Sequence, residues 1–309
     1  MATATAARVE PRVGAGTARK KRYGGLTPWL FAIPALAVYA TFLVYPALTS
    51  LFFSFTNWDG LSPTYDIVGL QNYVTMTKDP VVRQALVNNA IWTVVTIVVP
   101  VVIGLTLATL LNGKVRGKTP LRLLFYTPCV LPLVSIASIW GWLYNPDSGV
   151  VNEVLRTVGL GNLAQPWLGQ DSTALWAVMV PAIWLRTGFP MLLYLAALQG
   201  IPHELYEAAT VDGATRSQQF WHITMPSLRP AHYIVLALSL IDSFKVFDMI
   251  YAMTYGGPGT ATQVMGTWMY ANVFQYYQAG YGTAIAVVIT LIAVAVSIPY
   301  VISQTKEHA

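Results

Sequence analysis

Charge is scarce in this chain of 309 residues, of which 10% are Asp, Glu, Lys or Arg. An ordinary soluble domain carries about 25% charged residues. There is one cysteine, Cys129, so an intrachain disulfide and a cysteine-rich zinc site are both excluded. We interpret Cys129 as a small buried apolar side chain. Apolar residues instead make up 55% of the chain, and this composition predicts a membrane protein.

Long apolar runs occupy most of the sequence, and the first, from Trp29 to Phe55, contains no acid, base or histidine. A helix needs about 20 such residues to cross a bilayer. Backbone groups in lipid must be hydrogen-bonded within their own segment, and barrel strands would be shorter and would alternate, so the runs predict helices. The six predicted spans are residues 29–54, 88–111, 121–144, 173–200, 231–252 and 281–303.

Basic residues are distributed unequally between the loops. Six spans place both termini on one side, and thirteen Lys and Arg residues fall on that side against three on the other. The positive-inside rule therefore places both termini in the cytoplasm, together with the loop at 203–230. We expect a basic, disordered tail at 1–27, a transmembrane domain at 28–303 and a short tail at 304–309. The net charge of +5 then reflects topology and not nucleic-acid binding.

Two segments match functional motifs only in part. Residues 112–119 end like a phosphate-binding loop, but Asn112 stands where the motif requires glycine. Residues 203–207 begin like a zinc-protease helix, but Glu207 stands where the second histidine belongs. We therefore expect no catalytic residue, no metal site and no cofactor in this chain. If ATP drives its function, another subunit binds the ATP.

The polar segment at 203–230 separates two predicted spans. Pro202 ends the span before it, and residues 203–211 favour a short helix. Gly213 permits a tight bend that other residues resist, and a second short helix is expected at 217–223. Two short helices joined at a glycine form a compact knob that can enter a groove. The spacing alone favours a plain interfacial loop.

This segment resembles the permease signature of carbohydrate ABC importers of the maltose and glycerol-phosphate type. A second block at 244–259 is similar to the end of the following span in those permeases, and residues 69–73 and 144–149 also fit. The resemblance covers about residues 28–303. It departs at Met225, which replaces the usual leucine, and the large external insertion of the maltose permease is absent. The signature is carried by residues 195–209, Asp212, Gly213, Ala214, Phe220, Ile223, Pro226 and Pro230.

The resemblance implies an all-α membrane protein with six transmembrane helices and the type I ABC importer permease fold, located in the bacterial cell membrane. It implies a non-catalytic subunit of an ATP-driven complex that imports a sugar or oligosaccharide. The implied partners are a second, homologous permease subunit, two ATPase subunits that bind ATP and Mg, and an extracytoplasmic solute-binding protein. In this family the loop fits a cleft on the ATPase. The residues that would couple to it are Glu207, Ala208, Ala209, Asp212, Gly213, Ile223 and Pro226.

Charged side chains inside the predicted spans indicate a solute path, because a charge within a bilayer is costly. Lys245 lies three residues from Asp242 and from Asp248, so helical spacing lets it pair with either acid. These groups either form a network that fixes helix packing or line an aqueous path, where donors, acceptors and aromatic rings suit a sugar. The predicted path residues are Arg186, Ser239, Asp242, Ser243, Lys245, Asp248 and Trp140.

Two alternatives stay open at this point. An ABC permease for glycerol phosphate or a glycerophosphodiester shares the same signatures, and Arg186 and Lys245 would suit an anionic solute. A secondary transporter or an intramembrane enzyme is the other alternative, but it leaves the Glu-Ala-Ala loop unexplained and has no catalytic motif. In each case membrane lipid surrounds the chain.

Overall fold

The computed structural model describes residues 27–113, 116–244 and 246–306, with side chains described between residues 31 and 298. The chain divides into two compact units, with the boundary between Leu48 and Thr49. Its α-helices are α1 (Thr27–Tyr39), α2 (Tyr45–Phe53), α3 (Gln71–Lys78), α4 (Pro80–Asn112), α5 (Lys118–Tyr126), α6 (Leu133–Leu143), α7 (Val150–Thr157), α8 (Ala174–Gln199), α9 (His203–Val211), α10 (Arg216–Gln219), α11 (Met225–Ser227), α12 (Arg229–Phe244), α13 (Asp248–Thr254), α14 (Met265–Phe274) and α15 (Ala279–Lys306).

Short irregular helical turns connect several of these helices. A π turn at Ala40–Val44 joins α1 to α2, and a 3₁₀ turn at Thr127–Val130 follows α5. Within the described ranges, β structure is limited to one isolated antiparallel bridge between Thr56 and Ile67. The prediction of an all-α chain is confirmed.

Four helices in the described chain are long and apolar enough to cross a membrane, and a bent pair is a fifth candidate. The bent pair joins Lys118–Val130 to Leu133–Leu143 at an angle of 102°. The predicted first, second, third, fourth and sixth spans therefore have helical counterparts. The number of six and the side on which the termini lie stay predictions. The four unbroken candidates are Phe31–Phe53, Pro80–Asn112, Ala174–Gln199 and Ala279–Ile298.

The predicted fifth span, residues 231–252, is divided between two helices and is not one continuous helix. Helix α12 ends at Phe244 and α13 begins at Asp248, while the backbone of Phe247 has φ −151° and ψ −59°. The two helices have 16 and 7 residues, so each is shorter than the about 20 residues that a span needs. An apolar pattern reports polarity and not backbone angles, so it does not reveal such a break.

Helix α4 is the longest helix of the second unit, and its first residues are fixed by Asp79. Its 33 residues are about 50 Å long at 1.5 Å per residue, which exceeds the hydrocarbon thickness of a bilayer. Asp79 Oδ1 accepts a hydrogen bond from Val81 N at 2.8 Å and so caps the helix. Its Oδ2 accepts from Trp268 Nε1 at 3.0 Å and from Tyr281 Oη at 2.7 Å. One carboxylate therefore joins the starts of α4, α14 and α15.

The polar loop after α2 is ordered by Asp59. Its carboxylate accepts hydrogen bonds from Leu61 N at 2.8 Å, from Ser62 N at 2.7 Å and from Ser62 Oγ at 2.6 Å. These bonds, that from the Ser62 hydroxyl above all, stabilise the ionised form and lower the pKa of Asp59 from 3.8 to about 2.

Helices α4 and α8 pack against each other and carry the apolar core. One cluster of buried residues includes Trp92, Ile136, Val178 and Ile250 and so brings α4, α6, α8 and α13 together. A second cluster lies nearer to the end of α8, around Tyr194, and joins α4, α8 and α12. The two clusters share α4 and α8 and together involve five helices.

Gly188 allows a close approach between α8 and the end of α5 with the 3₁₀ turn that follows it. A Cβ atom at this position would lie 2.6 Å from the carbonyl oxygen of Phe125 and 2.8 Å from Cys129 Sγ. The same contact lets Cys129 Sγ donate to the carbonyl oxygen of Leu185 at 2.8 Å. Small residues commonly permit such contacts between membrane helices.

Candidate functional site

A central cleft of about 620 Å³ opens between α6, α8, α12 and α13 at the break in the predicted fifth span. This volume lies within the range of about 300–1,000 Å³ that is usual for small-molecule sites. The cleft combines apolar walls with a few charged and hydroxyl groups. It is lined by Trp92, Cys129, Leu131, Leu133, Leu185, Arg186, Phe189, Pro190, Leu238, Ser239, Ile241, Asp242, Val246, Phe247, Asp248 and Met249.

An ion pair between Arg186 on α8 and Asp242 on α12 spans the cleft wall. Arg186 Nη2 lies 2.8 Å from Asp242 Oδ2, and Arg186 Nε donates to the same oxygen at 2.9 Å. The arginine side chain is 23% exposed and the aspartate side chain is 58% exposed. The pair is therefore reachable from the cleft, and its anionic member is the more accessible one.

The structure brings four of the predicted path residues together, namely Arg186, Ser239, Asp242 and Asp248. Asp248 is exposed, and Ser239 is half-buried. Lys245, a fifth predicted residue, lies outside the described residues, so its predicted pairing with Asp242 or Asp248 has no counterpart here. Among the described residues, Asp242 pairs with Arg186, and this pairing was not predicted from the sequence.

Ser243 and Trp140 are not brought into the central cleft. Ser243 is buried, and its hydroxyl donates to the carbonyl oxygen of Leu240 at 2.8 Å. Trp140 packs near Tyr144 and Trp184, with ring centroids 5.4 and 6.1 Å away. It lines a separate, mainly apolar cleft of about 350 Å³ between α6, α7 and α8.

Several cleft residues were missed by sequence reasoning. Phe189 and Phe247 contribute aromatic rings to the wall. Trp92 is 1% exposed, and its buried indole N–H has no hydrogen-bond partner among the described residues. A buried donor of this kind commonly bonds to a water or a ligand oxygen. Cys129, which was expected to be a buried apolar side chain, is half-buried and lines the cleft.

The second candidate site is the segment 203–230, which was predicted to dock onto an ATPase and is called the docking loop below. Helix α9 ends where Gly213 adopts φ +79°, a left-handed conformation that favours glycine. Gly213 N donates to the carbonyl oxygen of Thr210 at 3.1 Å, and Ala214 N donates to that of Ala209 at 2.8 Å. This is a Schellman motif, which satisfies the last carbonyl groups of a helix. The predicted bend at Gly213 is confirmed.

The second half of the docking loop is fixed by side chains. Thr215 caps α10 in a capping box with Gln218, where Gln218 N donates to Thr215 Oγ1 at 3.3 Å and Thr215 N donates to Gln218 Oε1 at 2.8 Å. Gln219 Nε2 donates to Thr210 Oγ1 at 3.0 Å and so joins α10 to α9. The predicted second helix at 217–223 is a short α-helix, α10, followed by a π turn at Phe220–Thr224.

The docking loop presents its predicted coupling residues to the outside. Glu207, Ala208, Asp212, Gly213 and Pro226 are exposed. Val211, which sequence reasoning did not select, is 87% exposed and is the most exposed large apolar side chain of the loop. The remaining predicted residues, Ala209 and Ile223, are half-buried and line a shallow cleft of about 380 Å³ together with Asp212, Gly213, Ala214, Gln218, Gln219 and His222.

A family model described as "Binding-protein-dependent transport system inner membrane component" matches residues 100–306. The chain belongs to this family. The matched region includes the whole docking loop and all the cleft residues named above except Trp92. Both candidate sites therefore lie largely within it. Within the described ranges, no group of three or more His, Cys, Asp or Glu residues is arranged to hold a metal ion.

Curated relatives of this permease are similar along almost their whole length. A probable ABC transporter permease protein, YurN of Bacillus subtilis, is 40% identical over 88% of this chain and 94% of its own. The multiple sugar-binding transport system permease protein MsmF of Streptococcus mutans is 34% identical over 87% and 92%. The trehalose/maltose transport system permease protein MalF of Thermococcus litoralis is 32% identical over 88% and 91%.

Among solved structures, the permease is similar to a chain of a bacterial alginate ABC transporter in complex with an alginate pentasaccharide-bound periplasmic protein. The TM-score is 0.78 with 23% identity, covering 89% of this chain and 92% of the other. At this identity the likeness concerns the fold. It agrees with the predicted type of permease architecture.

Proposed function

We propose that this permease is the transmembrane subunit of an ATP-driven, binding-protein-dependent importer, and that it carries a sugar or oligosaccharide across the bacterial cell membrane. The names of the curated relatives support this solute class, since they include multiple sugars, starch degradation products and trehalose/maltose. The observation that carries the proposal is the central cleft, which combines polar groups with aromatic rings inside the helical domain.

The central cleft is the proposed solute path. Sugars need both donors and acceptors for their hydroxyl groups, and Arg186, Asp242 and Ser239 offer both kinds. The C–H faces of sugar rings pack on aromatic rings, which Phe189 and Phe247 present to the same cleft. Such a combination of apolar lining and few polar groups is usual for small-molecule sites.

The docking loop is the proposed contact with the ATPase. Its exposed Glu207 offers a carboxylate to a basic residue of the ATPase, and Val211 offers an apolar contact beside it. The Schellman motif and the capping box hold the loop in one shape before it meets a partner, which lowers the entropic cost of binding. ATP and Mg bind to two ATPase subunits in this proposal, and this chain itself is not an enzyme.

The remaining parts of the assembly follow from the same proposal. A second, homologous permease subunit completes the path, and a solute-binding protein delivers the sugar from outside. Six spans place both termini in the cytoplasm, with the bent pair as the third span and α12 with α13 as a broken fifth span. Broken helices are tolerated in membranes where they line a cavity, and the central cleft provides one.

The open alternatives have less support. A permease for glycerol phosphate or a glycerophosphodiester needs a cation for the phosphate, but Arg186 is already paired with Asp242. A secondary transporter or an intramembrane enzyme does not agree with membership of a binding-protein-dependent transport family.

The test is uptake of labelled sugars into proteoliposomes that contain this chain with its partner permease, ATPase and binding protein. Asp242→Asn or Lys245→Met is expected to reduce uptake more than it reduces assembly of the complex, because the proposal assigns both charges to the solute path. Equal loss of uptake and assembly would mean that the charges only hold the helices together, where an unpaired buried charge costs about 3–5 kcal/mol. Normal uptake in both variants contradicts the proposed path.

Cys129 supplies a second measurement that needs no engineering, because it is the only cysteine of this chain and it lines the cleft. N-ethylmaleimide is expected to alkylate Cys129, and a transported sugar is expected to slow the reaction. The peptide that contains Cys129 is quantified by mass spectrometry, which separates it from cysteines of the partners. The proposed function is contradicted if no tested sugar changes the alkylation rate of Cys129 and the same complex also imports no sugar.

A further inference from the structure

The charged groups of the central cleft contain no surplus positive charge. Among the described cleft residues, Arg186 is the one cation, and Asp242 and Asp248 are two anions. A solute with a carboxylate group would therefore enter a site whose own charges do not attract it.

The positive charge of Arg186 is also occupied. Two of its nitrogen atoms contact Asp242 Oδ2, at 2.8 and 2.9 Å. Arginine binds carboxylates strongly, often through two parallel hydrogen bonds, so Asp242 takes the place that the carboxylate of an acidic sugar would take. An acidic sugar must displace Asp242 or lie beside it, and the second arrangement puts two like charges together. The hydroxyl groups of a neutral sugar can donate to the exposed carboxylate of Asp242 without either cost.

We propose that Asp242 is a specificity-determining residue, which acts as the internal counter-ion of Arg186 and makes the solute path selective for uncharged carbohydrates over acidic ones. The inference rests on the proposed function, since it assumes that the cleft is the solute path. Removal of the negative charge at 242 exposes Arg186 as a binding group for a uronic acid carboxylate.

The experiment measures protection of Cys129 from N-ethylmaleimide in the complete importer reconstituted in lipid nanodiscs. The probes are glucose, galactose and mannose, each compared with its own uronate, so that the two members of a pair differ in the oxidation state of one carbon. For the wild-type complex, we expect at least one neutral sugar to protect Cys129 and its uronate to protect at least about tenfold more weakly, as loss of one charged contact implies.

Two variants with the same change in charge separate the possible causes. Asp242→Asn is expected to strengthen protection by the uronate about tenfold relative to the neutral sugar, because it frees Arg186. Asp248→Asn raises the charge of the same cleft by one unit but leaves the Arg186 pair intact, so it is the matched control and is expected to strengthen protection by the uronate much less than Asp242→Asn does. The double variant Arg186→Gln with Asp242→Asn is expected not to show this stronger protection by the uronate.

The inference is overturned if uronates protect the wild-type complex as well as the neutral sugars do. It is also overturned if Asp242→Asn and Asp248→Asn strengthen protection by the uronate equally, since the overall charge of the cleft would then be responsible. A third contradicting result is unchanged protection by the uronate in Asp242→Asn. If Asp242→Asn does not assemble, the comparison of sugars with uronates on the wild type decides. Failure of every neutral sugar to protect the wild type, together with absent sugar uptake, contradicts the proposed function and is distinct from these outcomes.

Discussion

Replacement of Gly213 by valine is expected to change the shape of the docking loop without a steric clash. Gly213 has φ +79°, and a Cβ atom built there meets no other atom within 4 Å. The cost is therefore backbone strain. A left-handed conformation costs an ordinary L-residue about 1–2 kcal/mol, and a β-branched side chain resists it further.

The strain has a definite local consequence. If the backbone at 213 leaves the left-handed region, the hydrogen bonds from Gly213 N to Thr210 and from Ala214 N to Ala209 are lost as well. These bonds favour the native shape in the wild type and in the variant alike, so the preference for the native loop falls by the strain, about 1–2 kcal/mol. At about 1.4 kcal/mol per tenfold change, the docking shape becomes about 5- to 25-fold less populated relative to other shapes.

The assay is co-purification of the ATPase subunits with this chain, measured beside sugar uptake. Gly213→Val is expected to give normal membrane levels, weak ATPase association and little uptake. Gly117→Val is the matched control, because Gly117 also has a left-handed φ, of +74°, with no atom closer than 3.8 Å to its Cβ, and lies in a different loop. Wild-type association and uptake in Gly213→Val would refute the role of the docking loop.

Three further outcomes are expected. The purified chain alone will hydrolyse no ATP, with or without sugar, and sugar-stimulated hydrolysis by the chain alone would contradict its assignment as a non-catalytic subunit. Gly188→Val will lower the yield of the complex and destabilise it by about 1–3 kcal/mol, because the valine side chain must enter space held by Phe125 and Cys129. An unchanged melting temperature would contradict this. Asp59 will titrate near pH 2 when it is followed by carboxyl NMR. Its contribution to loop order is then complete above about pH 3.8 and is lost as the pH falls through 2. A titration midpoint near 3.8 would show that its hydrogen bonds do not form.

Much of the architecture can be predicted from the sequence because it depends on local chemistry. Apolar runs without charge predict membrane helices, since their backbone groups must bond internally in lipid. The bend at Gly213 is predictable for a similar reason, because glycine alone adopts a left-handed conformation without cost. These features are decided within about one helical turn, so neighbouring elements do not have to be known.

The solute path could be predicted only in part. The cost of charge in a membrane singles out Arg186 and Asp242, but their pairing crosses 56 positions of the chain and depends on how α8 and α12 pack. Helical spacing suggested Lys245 as a partner of Asp242, because spacing identifies neighbours within one helix and not contacts between two helices. Ser239 and Ser243 look equivalent by spacing, yet the first lines the cleft and the second is buried against Leu240.

The sequence by itself determined the helical membrane class, the family signature and the left-handed bend of the docking loop, because each follows from local polarity or backbone freedom. The tertiary structure alone decided the break between Phe244 and Asp248, the ion pair of Arg186 with Asp242, and the place of Trp92 and Cys129 in the cleft. Those features depend on the rotation and close packing of whole helices. A change of one position in helix register turns a side chain by about 100°, and so moves it from a cavity wall into a packed core.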